Sequence, residues 1–212
     1  MKFVPLLKDL FSKIKDTIIS PSKVFTNPDL QDSIKYSYFI SLLIACWYSI
    51  VCIMLYIKAG VSTYYFLFEA VFWIIFAFLL IVIGYYLPNL LNRVLFKNEV
   101  EINKKVSANI ISLSTGVPSI FIGIVDFIIV VTASNNDIRN YATGLGSTAP
   151  LSFISNYVFT AISIWLVILA IYGMKKITKL SLSKSAMITL ITLLPILLLL
   201  FIFIGLESVQ PF

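Results

Sequence analysis

Sixteen lysines and arginines lie between five long apolar stretches, and nearly all of them crowd into alternate gaps. That pattern restricts the chain to a polytopic membrane protein. A soluble core of 212 residues could not hide a composition that is 59% hydrophobic and 12% charged, whereas lipid solvates apolar surface directly. About 20 apolar residues suffice to cross the hydrocarbon layer as a helix. Tyr36 to Ile57 is such a run, uncharged between Lys35 and Lys58. A second extends from Tyr64 to Leu87, holds Glu69, and closes in Tyr85, Tyr86, Pro88, Asn89 and Asn92, an interface-like end. Val106 to Ala133, with Asp126 inside it, is the third. Thr143 to Ser152 is rich in Gly, Ser, Thr and Pro and reads as loop; Phe153 to Met174 and Ala186 to Leu206 complete the set. The fold expected is all-α, with five transmembrane helices and an N-terminal amphipathic helix.

Short loops rich in Lys and Arg stay on the cytoplasmic side. Fourteen of the sixteen basic residues fall before the first span, after the second or after the fourth, leaving Lys58 and Arg139 for the other side. The expected topology has a cytoplasmic N-terminus and an outer C-terminus, Glu207 to Phe212. The first 35 residues lack the apolar core and cleavage site of a signal peptide. Within them Val4, Leu7, Leu10, Phe11, Ile14 and Ile18 recur at helical spacing, with Lys8, Asp9, Lys13, Lys15 and Asp16 on the remaining faces. Such a helix lies in the headgroup region or packs on the cytoplasmic ends of the spans. Residues 1–35 are therefore read as a cytoplasmic segment and 36–212 as the transmembrane domain.

Ile19-Ser20-Pro21-Ser22-Lys23-Val24-Phe25, followed by a short polar stretch and a span, resembles the opening of the Yip domain family, the Ypt-interacting proteins, where a Ser-Pro-x-x-x-Phe-like segment precedes five spans. Val106-Ser107-Ala108 leading to Pro118, and Leu180-Ser181-Leu182-Ser183-Lys184-Ser185-Ala186 leading to Pro195, are similar to later parts of that pattern. The resemblance covers nearly the whole chain. It implies a non-enzymatic scaffold or trafficking factor in contact with lipid and, in eukaryotic members, with Rab-type small GTPases. The short N-terminal segment departs from the eukaryotic pattern and points to a prokaryotic member, bacterial or archaeal, in the cell membrane. Prokaryotic relatives have no agreed role.

Little in the chain suits catalysis. There is no histidine, which removes a histidine base, a Ser-His pair and an imidazole metal ligand. Cys46 and Cys52, six residues apart in one span, face different sides of a helix and read as apolar fillers. No enzyme activity, metal or cofactor is expected, and the net charge of +6 goes to membrane orientation rather than to nucleic acid.

The polar exceptions are Glu69 and Asp126, since an ionisable group inside a bilayer costs at least about 2–3 kcal/mol and tends to face protein or water. Both fall in the outer third of their spans. Two readings stand: structural groups, with Glu69 a snorkelling or loop residue and Asp126 hydrogen-bonded to a neighbour, or a paired proton or cation site, which would make the chain a small transporter or channel. Asp126 also continues the stripe Thr115, Ser119, Gly123. The small residues Gly116, Ser119 and Gly123 are expected to form a helix-packing face, within one chain or in a homo-oligomer. Pro118 and Pro195 are candidate kinks at similar depth, hinting at a duplicated helical hairpin. Lys175, Lys176, Lys179 and Lys184 form a loop without acids that would attract anionic headgroups at about 1 kcal/mol each, or simply enforce topology.

Overall fold

A computed structural model describes residues 3–27, 29–60, 63–97, 99–142 and 150–209. Among them the order is α1 (Phe3–Ile19), α2 (Pro21–Phe25), α3 (Asp29–Asp32), α4 (Lys35–Ala59), α5 (Thr63–Phe96), α6 (Lys104–Thr132), α7 (Asn135–Ala142), α8 (Pro150–Thr178) and α9 (Leu182–Val209), with no strand. Helices α4, α5, α6, α8 and α9 are long and apolar enough to cross a membrane. Residues 143–149 of the expected loop, the C-terminal residues 210–212, and the side chains of Val4, Leu7, Arg139 and Glu207 lie outside the described residues.

Local chemistry sets the helix ends. The Asn103 side chain accepts from the backbone N–H of Lys105 at 3.0 Å and so caps α6. Gly60 closes α4 at φ 70°, a left-handed geometry that glycine adopts without strain. Lys97 and Lys179, just past α5 and α8, take the same conformation at φ 52° and 56°. Pro150 opens α8, where its missing N–H is not needed.

Helix α5 continues through Pro88 to Phe96 rather than ending at Leu87. A proline at this position deprives the Gly84 carbonyl, four residues earlier, of its helical donor. The Ser107 hydroxyl of α6 donates to that carbonyl at 2.7 Å. The replacement bond lets an interior proline coexist with an unbroken helix. Gly84 also permits the approach: a Cβ there would stand 3.0 Å from the Ile111 Cβ.

Helix α6 is the centre of the bundle, packed against α4, α5 and α8, while α9 joins α8 to α5. Its half nearest Lys104 is almost wholly buried, from Val106 to Pro118. The core around it includes Tyr36, Ile40, Ile110, Leu113 and Ile188, and it takes in Leu10, Val24, Phe25 and Leu30 from the N-terminal segment. The short helix α7, absent from the expectations above, is capped by Ser134, whose hydroxyl accepts from the Asp137 N–H at 3.2 Å. Its Ile138 is buried with Val51, Ile129 and Val130, closing the opposite end of the bundle.

The apolar stripe expected on α1 divides in two. Leu10, Lys13 and Thr17 are buried, whereas Phe11 is 61% exposed and Ile18 and Ile19 are exposed beside it. Lys13 goes inward because Asp29 meets its ammonium at 3.9 Å and the Tyr36 ring lies 5.8 Å from it.

Candidate functional site

The three basic segments meet at one end of the bundle. The Lys105 ammonium donates to the Asp32 carbonyl at 3.3 Å, tying the loop after α5 to the N-terminal segment. Lys184 pairs with Glu99 and lies over the Phe96 ring, tying the start of α9 to the same loop. Of the four lysines in the basic loop, Lys175, Lys176 and Lys179 are exposed and Lys184 is engaged.

Asn109 organises this end. It is 0% exposed, and an amide buried at that depth is tolerated only when its donors and acceptor are satisfied. Its Nδ2 donates to the carbonyls of Leu30 at 2.9 Å and Ser33 at 2.7 Å. Its Oδ1 accepts from the Ser37 N–H at 3.1 Å and the Ser37 hydroxyl at 2.9 Å. One side chain of α6 thereby holds both the end of α3 and the first turn of α4. Asn109 was not singled out from the sequence, although an amide inside an apolar stretch was the available signal.

Two further contacts fasten the N-terminal segment. Tyr36 donates to the Asp9 carboxylate at 2.7 Å, with Lys35 3.8 Å from the same oxygen. The Ser-Pro-x-x-x-Phe segment forms α2, and its buried Phe25 lies against α8, with the Tyr172 ring centroid 6.5 Å away. A Cβ on Gly173 would stand 3.2 Å from the Phe25 ring and 2.7 Å from Ile110, so glycine makes room here for both α6 and the phenylalanine.

At the other end the two membrane carboxylates take different surroundings. Glu69 lies inside α5, 6% exposed, and accepts a hydrogen bond from the Tyr56 hydroxyl of α4. It is neither a loop residue nor a snorkelling one. Asp126 is half-buried on α6 and makes no hydrogen bond or ion pair among the described residues; no such bond joins it to Glu69. Lys58 neutralises neither of them. Its ammonium donates to the carbonyls of Val130 at 2.7 Å and Ala133 at 2.6 Å, where the end of α6 leaves acceptors without helical donors.

The small residues of α6 sit where α4 crosses it. A Cβ on Gly116 would stand 2.1 Å from Ile40 Cγ2, and one on Gly123 would stand 2.4 Å from Trp47 Nε1. The Ser119 carbonyl accepts from the Tyr48 hydroxyl at 2.9 Å. Pro118 and Pro195 lie inside α6 and α9, which continue through them. Cys46 is exposed and Cys52 buried, on different faces of α4. Among the described residues no cluster of Cys, Asp and Glu could hold a metal ion.

Five apolar helices with α6 at their centre, and an N-terminal segment fastened to one end, define a multi-pass integral membrane protein. The Yip1 domain family matches residues 15–204, and the chain belongs to that family. No curated protein and no solved structure matches it.

Proposed function

We propose that this protein is a non-enzymatic organiser of membranes whose basic end faces the cytoplasm and gathers anionic lipid and a protein partner there. Residues 1–35 are the cytoplasmic segment, the C-terminus lies outside, and the membrane is the cell membrane of a prokaryote. Membership of a family linked to trafficking and generally without enzymatic activity supports this reading. A small GTPase is the partner class the family suggests.

The observation that carries it is the outward arc of α1. Lys8, Phe11, Lys15, Ile18 and Ile19 are exposed on one side while Leu10, Lys13 and Thr17 dock on the bundle. Apolar groups flanking lysines, with Asp9 and Asp16 on another face of the helix, suit a helix lying in the headgroup plane. The exposed Lys175, Lys176 and Lys179 extend the same basic edge. A spin label at position 11, with Cys46 and Cys52 replaced by alanine, tests this in nanodiscs. The expected result is preferential relaxation by oxygen over a water-soluble nickel complex; the reverse preference would overturn the reading. Affinity purification in native nanodiscs followed by mass spectrometry would then identify the partner.

One observation favours a second reading, a small ion- or proton-coupled transporter: Asp126 is a carboxylate within a membrane helix and has no described partner. Five spans are few for a transporter built from inverted repeats. Proton or cation flux in liposomes that vanishes in Asp126→Asn would establish transport; absence of flux in the native protein would remove it.

A further inference from the structure

Helix α8 packs on α6 and α9, and α5 packs on α4, α6 and α9, but α5 and α8 scarcely touch. The gap between them is a cleft of about 460 Å³, lined by Trp73 and Phe76 of α5, Ser119 of α6, Ser163 and Ile168 of α8 and Leu197 of α9. Its size falls in the range of pockets that hold small molecules, about 300–1,000 Å³. The stacked rings of Tyr48 and Trp73, 4.0 Å between centroids, form a flat wall on one side.

We infer that this cleft holds one acyl chain of a membrane lipid, drawn from the leaflet opposite the basic end. Its place along the helices points to the leaflet: Phe159, Thr160 and Ser163 lie in the half of α8 nearer Pro150, with Ile164 to Ile168 about its middle, and Trp73 and Phe76 lie in the half of α5 nearer Thr63, away from the lysine-rich loops. The cleft is continuous with the lipid-facing surface, since Ile164 and Ile168 line it and are also among the exposed apolar residues. At this depth hydrocarbon is the solvent, and an apolar wall with few hydroxyls offers water too few hydrogen bonds to compete. A lipid chain fills such a space without a change in the protein.

The test uses the full chain in nanodiscs containing phosphatidylcholine with a diazirine at the end of one acyl chain, photolysed and mapped by peptide mass spectrometry. Phe76 and Phe78 are the same residue type on one helix, 5% and 62% exposed, and only Phe76 lines the cleft. Bulk lipid would label Phe78 more; a chain in the cleft labels Phe76 several-fold more. Ser163→Trp fills the cleft from α8 and should lower labelling at Phe76 several-fold while leaving Phe78 unchanged. Leu197→Trp fills it from α9 and serves as a second, independent block. Labelling that favours Phe78, or labelling of Phe76 that neither tryptophan reduces, would overturn the inference.

Discussion

The phenol of Tyr36, in the first turn of α4, donates to the Asp9 carboxylate 27 residues earlier in the chain, at 2.7 Å. It is a direct tie between α1 and a transmembrane helix, and hydrogen bonds to charged groups contribute about 1.5–3 kcal/mol. Tyr36→Phe keeps the ring and removes the donor. Amide hydrogen exchange over residues 8–19 is expected to quicken by about tenfold or more, since 1.4 kcal/mol is a factor of ten in the opening equilibrium. Exchange over α8 should stay unchanged.

Asn109→Leu is expected to be among the most damaging single changes at the basic end. It leaves the Leu30 and Ser33 carbonyls and the Ser37 donors without their buried partner, at about 1–3 kcal/mol for each group left unpaired. Thermal unfolding in detergent should show a lowered midpoint. Limited proteolysis should cut first between α3 and α4.

Gly116→Ala and Gly123→Ala separate two kinds of crowding. At Gly116 the added methyl meets Ile40, whose β-branched side chain is stiff, whereas at Gly123 it meets the edge of the Trp47 ring. Overpacking of this kind costs about 1–3 kcal/mol, so both midpoints should fall, Gly116→Ala the further. Leucine at position 123 should weaken the fold further; unchanged detergent stability would remove this face from the packing of α4 on α6.

Lys58→Met keeps the stem of the side chain and deletes the charge from the end of α6. A cation in this position contributes about 0.3–2 kcal/mol through the helix dipole. The expected outcome is a modest loss of thermal stability that Lys58→Arg largely restores. Equal stability of the native protein and the methionine variant would rule out the cap as a stabilising contact.

Span number and the gathering of the basic segments were legible because apolar length and charge are local properties of the sequence. Azimuth was less so. Glu69 and Asp126 stand at comparable depths, yet depth does not say which neighbour a side chain faces, and Glu69 turns to Tyr56 of α4 instead of to Asp126. Pro88 looked like the end of a span because its stabilising partner, Ser107, is supplied by the next helix. Helix α7 escaped notice because its capping pair, Ser134 and Asp137, lies in a short polar stretch whose main apolar anchor is Ile138. On α1, periodicity alone could not show that Lys13 would be drawn inward by Asp29 while Phe11 stayed out.

Helices α4 and α6 are gripped at both extremities, by Ser37 on Asn109 at one and by Lys58 on the final carbonyls of α6 at the other, with Ile40 seated in the Gly116 notch between. That arrangement works as a register lock. Sliding by even one residue, about 1.5 Å of helical rise, would strain both grips together and drive Ile40 against the backbone of the neighbouring turn. Any large rearrangement of this bundle is therefore expected to leave the α4–α6 pair as a fixed frame and to pass through the α8–α9 hairpin, which borders the open cleft.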